Sequence, residues 1–154
     1  VELPLAEWYD RMKATVELVP VKDMPLGLAE GEVGYLQSKR VRLWARANDP
    51  TFFGEAALGV PEERARPRVV GWGRIWLTNE RLVWQGERGP YDFWLKRLVS
   101  VYAVYNLALA ILYQGRFYQF RFRDESLLKW LTYIAKVGER IKEVYGHPIA
   151  TPNF

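Results

Sequence analysis

Apolar positions along the 154-residue chain change period twice, dividing it into a helix, a set of strands and a second helix. Leu5, Trp8, Tyr9, Met12 and Val16 recur at the spacing of one helical face, and Pro4 suits a first helical turn. This predicts an amphipathic helix over 4–17, ended before Pro20. A connector containing Pro and Gly follows. From Tyr35 the period falls to two. Val41, Leu43 and Ala45 share one face of a half-buried strand, and Arg40, Arg42, Trp44 and Arg46 share the other. The same alternation sets Ile75 and Leu77 against Trp72, Arg74 and Trp76, and Leu82 and Trp84 against Val83. Further on, Tyr118, Phe120 and Phe122 face one way, with Phe117, Gln119, Arg121 and Arg123 opposite. At 124 the helical period returns through Leu127, Leu131, Ile134, Gly138, Ile141 and Tyr145. Asp124 can cap this helix, and Gly146 with Pro148 can stop it.

Turn chemistry separates the strands at Thr78–Arg81, in "GERGPYD" and at Gln114-Gly115. Residues 47–68 lose periodicity and carry "NDP" and "RARPR", which predicts a long loop, either functional or mobile. The run from Leu98 to Gly115 is free of charge for a length near the lower limit of a spanning helix. Ser100, Asn106, Gln114 and three tyrosines interrupt it, and Tyr105-Asn106 falls where a turn belongs, so it reads as two buried strands. The expected fold is therefore mainly β (α+β): a seven-stranded antiparallel barrel or two packed sheets, closed by the C-terminal helix, with an extra N-terminal helix. The expected organisation is helix and connector over 1–27, one domain over 28–146, and a tail over 147–154.

Composition narrows the chemistry. With no cysteine, disulfides, thiolate metal sites and cysteine nucleophiles are excluded. The single histidine, His147, lies beyond the last helix, and no Gly-x-Ser-x-Gly elbow is present. "GWG" at 71–73 lacks the further glycine and following helix of a phosphate loop. The sequence thus points to a binding module, not an enzyme, with no cofactor and no metal. Of the net charge of +4, the first thirty residues carry six acids and three bases, and residues 31–123 carry eight acids and fifteen bases. An anionic partner should meet the middle of the chain.

Three stretches carry a likeness. "LAEGEVGYL" (28–36), "GRIWLTNERLVWQG" (73–86) and "FWLKRLVSV" (93–101) together resemble the GRAM and bacterial PH-like (pleckstrin-homology) superfamily. Leu77, Thr78, Asn79, Arg81 and Leu82 fall in the order of that family's hairpin motif, and the likeness covers roughly 28–145. It implies a non-catalytic domain that attaches its protein to membranes or partners. Phosphoinositide-binding members use a Lys followed downstream by Lys/Arg-x-Arg on the first two strands. Here Lys39 before Arg40-Val41-Arg42, and Arg64-Ala65-Arg66, approach that pattern without its spacing. In the hairpin, Asn79 suits a left-handed turn residue and Thr78 can bond back to the chain.

Candidate anion- or lipid-binding residues are Lys39, Arg40, Arg42, Arg64, Arg66, Arg68 and Arg74. Trp44, Trp72 and Trp76 form an aromatic face, expected either to seat the N-terminal helix or to meet a partner. The partners expected are an anionic membrane surface or a protein, with a second copy of the chain as the alternative. Localisation is expected to be cytoplasmic, peripheral to a membrane if lipid is the ligand. "GRFYQFRF" (115–122) is similar to the aromatic strand of RNA-recognition modules. No helical pattern interrupts 69–123, however, so nucleic acid is disfavoured.

Overall fold

A thirteen-residue strand, β1 (Gly34–Arg46), is the spine of the fold. The computed structural model describes residues 5–87, 89–104, 108–123, 127–145 and 151–153. After α1 (Leu5–Thr15) and β1 come a short helix α2 (Pro50–Phe53), β2 (Pro67–Thr78), β3 (Arg81–Gly86) and β4 (Gly89–Trp94). Then follow β5 (Leu98–Val104), β6 (Ala108–Tyr113), β7 (Arg116–Phe122), α3 (Leu127–Tyr145) and a short β8 (Thr151–Asn153). The strands form one sheet in the order β4-β3-β2-β1-β7-β6-β5-β8. Pairing is antiparallel throughout, except that β8 lies parallel to β5. Within the uncharged run, Leu98–Val104 and Ala108–Tyr113 are the strands β5 and β6. No helix of the described residues is long and apolar enough to cross a membrane.

Alternation decides what the curled sheet encloses. Val41, Leu43, Ile75, Leu77, Leu82, Trp84, Phe93, Leu109, Ile111 and Phe120 fill its inner face. Trp130, Leu131, Ile134 and Val137 of α3 close it. Trp84 is, with Trp130, the largest of these side chains, and two glycines make room for it. A Cβ on Gly73 would lie 2.8 Å from the indole, and one on Gly86 2.2 Å from it. The indole then donates to the Val41 carbonyl at 3.2 Å. The glycines flanking the hairpin therefore serve packing.

Three expectations are corrected. First, 47–66 is a built segment. Asp49 caps α2 by accepting from Thr51 N, with Pro50 next in line. Phe52 sinks into the barrel end against Tyr91 (4.5 Å) and Tyr118 (5.6 Å). Asp49, 1% exposed, also accepts from Arg116 (2.6 Å) and the Tyr118 hydroxyl (2.9 Å), so segment and sheet are latched together. Second, α1 packs on α3, away from the tryptophan face. Lys13 pairs with Glu139, and Lys136 donates to the Val16 carbonyl. Third, Asn79 does not take a positive φ; Gln114 is the one described non-glycine residue that does. Part of the expected tail, 151–153, is the strand β8. The proposed stops at Gly146 and Pro148, the cap at Asp124, the Tyr105-Asn106 turn and His147 lie outside the described residues.

A candidate anion-binding face

The hairpin motif is spent on structure. Glu32, 7% exposed, sits at its centre. It accepts from Arg81 Nε (2.8 Å) and Nη2 (3.0 Å), from the Thr78 hydroxyl (2.8 Å) and from Ala29 N (3.0 Å). Arg81 also reaches Asp92 at 2.7 Å and the Gly27 carbonyl at 2.8 Å. Asn79 bridges the same loop, accepting from Val33 N (2.8 Å) and donating to the Gly31 carbonyl (3.2 Å). Burial alone would push the Glu32 carboxyl up. The Arg81 guanidinium, the Ala29 N–H and the Thr78 hydroxyl outweigh it and hold the carboxyl below the usual carboxylate range. Arg81 moves the opposite way, raised chiefly by its bond to Glu32. Both shifts favour the charged pair.

The connector 16–33 covers one end of the outer sheet face. Val21 N donates to the Gly34 carbonyl at 2.8 Å. Met24 fills the space over Gly34 and packs with Trp76 and Val83 in a small second core. Trp76 is consequently 3% exposed. It is covered by the connector and cannot belong to an open aromatic face.

Beyond the connector, the outer face of β2, β1 and β7 is open and basic. A register shift between Ser38 and Val41 inserts one extra residue into β1, turning both Lys39 and Arg40 outward. Arg42 then lies across from Trp72 on β2 and from Arg121 on β7. The Arg42 guanidinium stacks on Trp72 at 4.4 Å, and that of Arg121 stacks on Trp44 at 4.6 Å. Each stack stabilises by about 0.5–1 kcal/mol where exposed. Arg42 Nε and Trp44 Nε1 are buried donors with no acceptor among the described residues. Leaving a buried donor unpaired costs about 1–3 kcal/mol.

The other candidates fall around this square. Lys39, Trp72 and Arg74 line a shallow cleft of about 570 Å³ with Pro25, Gln85 and Glu87. Trp44, Arg46, Arg66, Phe117 and Gln119 line a second, of about 310 Å³, where Glu62 already pairs with Arg46 at 2.6 Å. Arg64 and Arg66 are exposed, and Arg68 stacks on Phe53 at 4.5 Å. The structure therefore gathers Lys39, Arg40, Arg42, Trp44, Trp72 and Arg74 on one face, brings Arg66 alone of the 64–68 arginines beside Trp44, and removes Trp76. It adds Arg121. Sequence alternation had assigned Arg121 to the outer side, but only the β1–β7 register places it opposite Arg42.

No protein-family profile matches the chain, and neither does any curated protein sequence. Among solved structures, the N-terminal PH domain of Vps36 is similar, with a TM-score of 0.52 and 18% identity over 75% of this chain and 86% of that one. The fold is PH-like. Seven antiparallel strands in a curled half-barrel, with a C-terminal helix at its side, are the shared architecture. In this PH-like chain the described residues contain no group of three or more His, Cys, Asp or Glu able to hold a metal. The most connected carboxylates, Glu32 and Asp49, are both occupied by structural partners.

Proposed function

We propose that the chain is a non-enzymatic binding module of the GRAM type within PH-like folds, and that it docks on an anionic membrane surface through the outer face of β2, β1 and β7. The observation that carries this reading is the collection of Arg40, Arg42, Arg74 and Arg121 on one open face beside the exposed rings of Trp72 (49%) and Phe117 (46%). No ion pair among the described residues engages any of these four arginines or Lys39. Cations near an anionic leaflet each contribute about 1 kcal/mol. Half-exposed rings suit the depth of the lipid head groups.

The test is co-sedimentation of the chain with anionic and with zwitterionic vesicles, at low and at physiological salt. Binding to anionic vesicles alone, retained at physiological salt, is expected. Gln at Arg40, Arg42 and Arg74 together should reduce it by about two orders of magnitude, at about 1 kcal/mol per charge. Failure to bind, with a concentration-dependent oligomer in sedimentation, would favour self-assembly. Failure with a monomer would favour a soluble protein partner.

A further inference from the structure

We propose that the hollow between α3 and the β2–β3 hairpin binds a free α-amino acid with a large apolar side chain. The hollow lies at the barrel end opposite α2, because Tyr35 begins β1 and α2 follows its end. None of its lining residues belongs to the outer face. Its volume of about 390 Å³ falls within the roughly 300–1,000 Å³ of small-molecule sites. Buried Tyr35 and Val137, with half-buried Ile141, give it an apolar floor, and exposed Glu80, Lys96 and Arg140 stand at its rim. A register shift between Gly34 and Leu36 makes Tyr35 an extra residue on β1, so its ring leaves the alternation of the strand. Such bulges recur where a side chain is re-aimed beside a site. The Tyr35 hydroxyl accepts from Arg140 Nη1 at 3.3 Å, and its own proton meets no acceptor among the described residues.

The rim charges define the ligand. Glu80 is opposite in sign to Lys96 and Arg140, yet it pairs with neither, and no ion pair among the described residues engages any of the three. Arg140 Nε and Nη2 are likewise without a partner among the described residues. Two cations and one carboxylate, held apart around an apolar floor, match a dipolar molecule. The ligand carboxylate takes the Arg140 fork in the two-pronged geometry that a guanidinium favours, with Lys96 and the Tyr35 hydroxyl as further donors. The ligand ammonium meets Glu80, and the apolar side chain lies on Tyr35, Val137 and Ile141. A simple anion would face Glu80 without a partner, and a simple cation would be repelled by two charges at once. A peptide C-terminus offers the carboxylate without the ammonium, and an N-terminus the reverse, so the full set of contacts belongs to a free amino acid.

The experiment titrates the chain with L-phenylalanine to millimolar concentration and follows its backbone amides by NMR. Saturable shifts are expected at Tyr35, Glu80, Lys96 and Val137. N-acetyl-phenylalanine lacks the ammonium and phenylalaninamide lacks the carboxylate. Each should bind about ten- to a hundredfold more weakly, the worth of one charged hydrogen bond. Glycine, with no side chain for the floor, should bind roughly tenfold more weakly or worse. Glu80, Lys96 and Arg140 are exposed, so Gln at each should keep the fold, verified by circular dichroism. Arg140→Gln should weaken phenylalanine about as much as removing its carboxylate does. Glu80→Gln should erase the discrimination against N-acetyl-phenylalanine. Glu55→Gln, an exposed charge on the α2 segment, should change neither. The absence of saturable shifts with phenylalanine, or shifts confined to other parts of the chain, would overturn the site. Equal binding of N-acetyl-phenylalanine, or an affinity unchanged in both Arg140→Gln and Lys96→Gln, would overturn the amino-acid assignment. Vesicle binding reads the outer face alone, so either reading can fail without the other.

Discussion

Replacing Arg81 with Ala should destabilise the domain far more than the loss of a surface ion pair. The Glu32 and Arg81 side chains are 1% and 13% exposed. Without Arg81, the carboxylate keeps only the Thr78 hydroxyl and the Ala29 N–H as donors. Removing one partner of a buried pair costs about 3–5 kcal/mol. The carboxyl can escape part of that penalty by taking up a proton. At pH 7 this costs a group of ordinary pKa near 4.3 about 1.36 kcal/mol per unit, roughly 3.7 kcal/mol in all. The loss should therefore lie between about 3 and 4 kcal/mol, lowering Tm by about 6–16 °C for a chain of this size. The sign of the pH dependence follows from the depressed Glu32 carboxyl. Its contribution is fully present above the unfolded value of about 4.3 and is lost as pH falls through the folded value below it. The gap between wild type and Arg81→Ala should accordingly narrow in acid. Adding Glu32→Gln to Arg81→Ala should restore part of the loss at neutral pH, because no charge then stays buried. Urea denaturation followed by circular dichroism, across the acid range, measures all three. A neutral-pH loss under about 1 kcal/mol, the size of an exposed pair, would refute the argument, as would a gap that does not change in acid.

Two further predictions test the packing and the latch. Gly73→Ala places a Cβ 2.4 Å from the Gln85 carbonyl oxygen and 2.8 Å from the Trp84 ring, so it should cost about 1–3 kcal/mol. Gly59→Ala, which meets nothing within 4 Å, should be close to neutral in the same thermal melts. Burial, reinforced by the neighbouring Asp49 carboxylate, raises the Tyr118 phenol well above its ordinary value. Asp49→Asn should bring it part of the way back, burial remaining. NMR titration of the tyrosine rings reads the shift, and an unmoved Tyr118 would remove Asp49 from the account.

How much of this was legible in the sequence depends on the range of the interaction concerned. Faces set by period were legible. Val41, Leu43, Ile75, Leu77 and Phe120 are inside, and Arg42, Trp72 and Arg74 outside, because alternation is local to each strand. Partnerships across strands were not. Glu32 and Arg81 are 49 positions apart, and no local rule ties them, although both lie in the motif that suggested the fold. Segment 47–66 misled through its lack of periodicity. Its Asp49-Pro50 start is a helix-capping signature that reads equally as a turn. The fate of Trp76 needed knowledge that the connector, through Met24, lies over β2.

The division of labour between the motif and the rest of the sheet narrows where binding can occur. Thr78, Asn79 and Arg81 use their polar atoms on the loop over 27–33, and Asp49, Arg116 and Tyr118 use theirs on the α2 latch. Changing any of these should lower stability first and binding only as a consequence. The outer-face arginines have the opposite character. Arg42 and Arg121 sit beside one another without a carboxylate partner among the described residues. Folding alone gives no reason to place like charges directly opposite, since that pairing opposes the sheet it belongs to. An arrangement that weakens the unliganded protein, and that an anion would relieve, is where a ligand gains the most from binding.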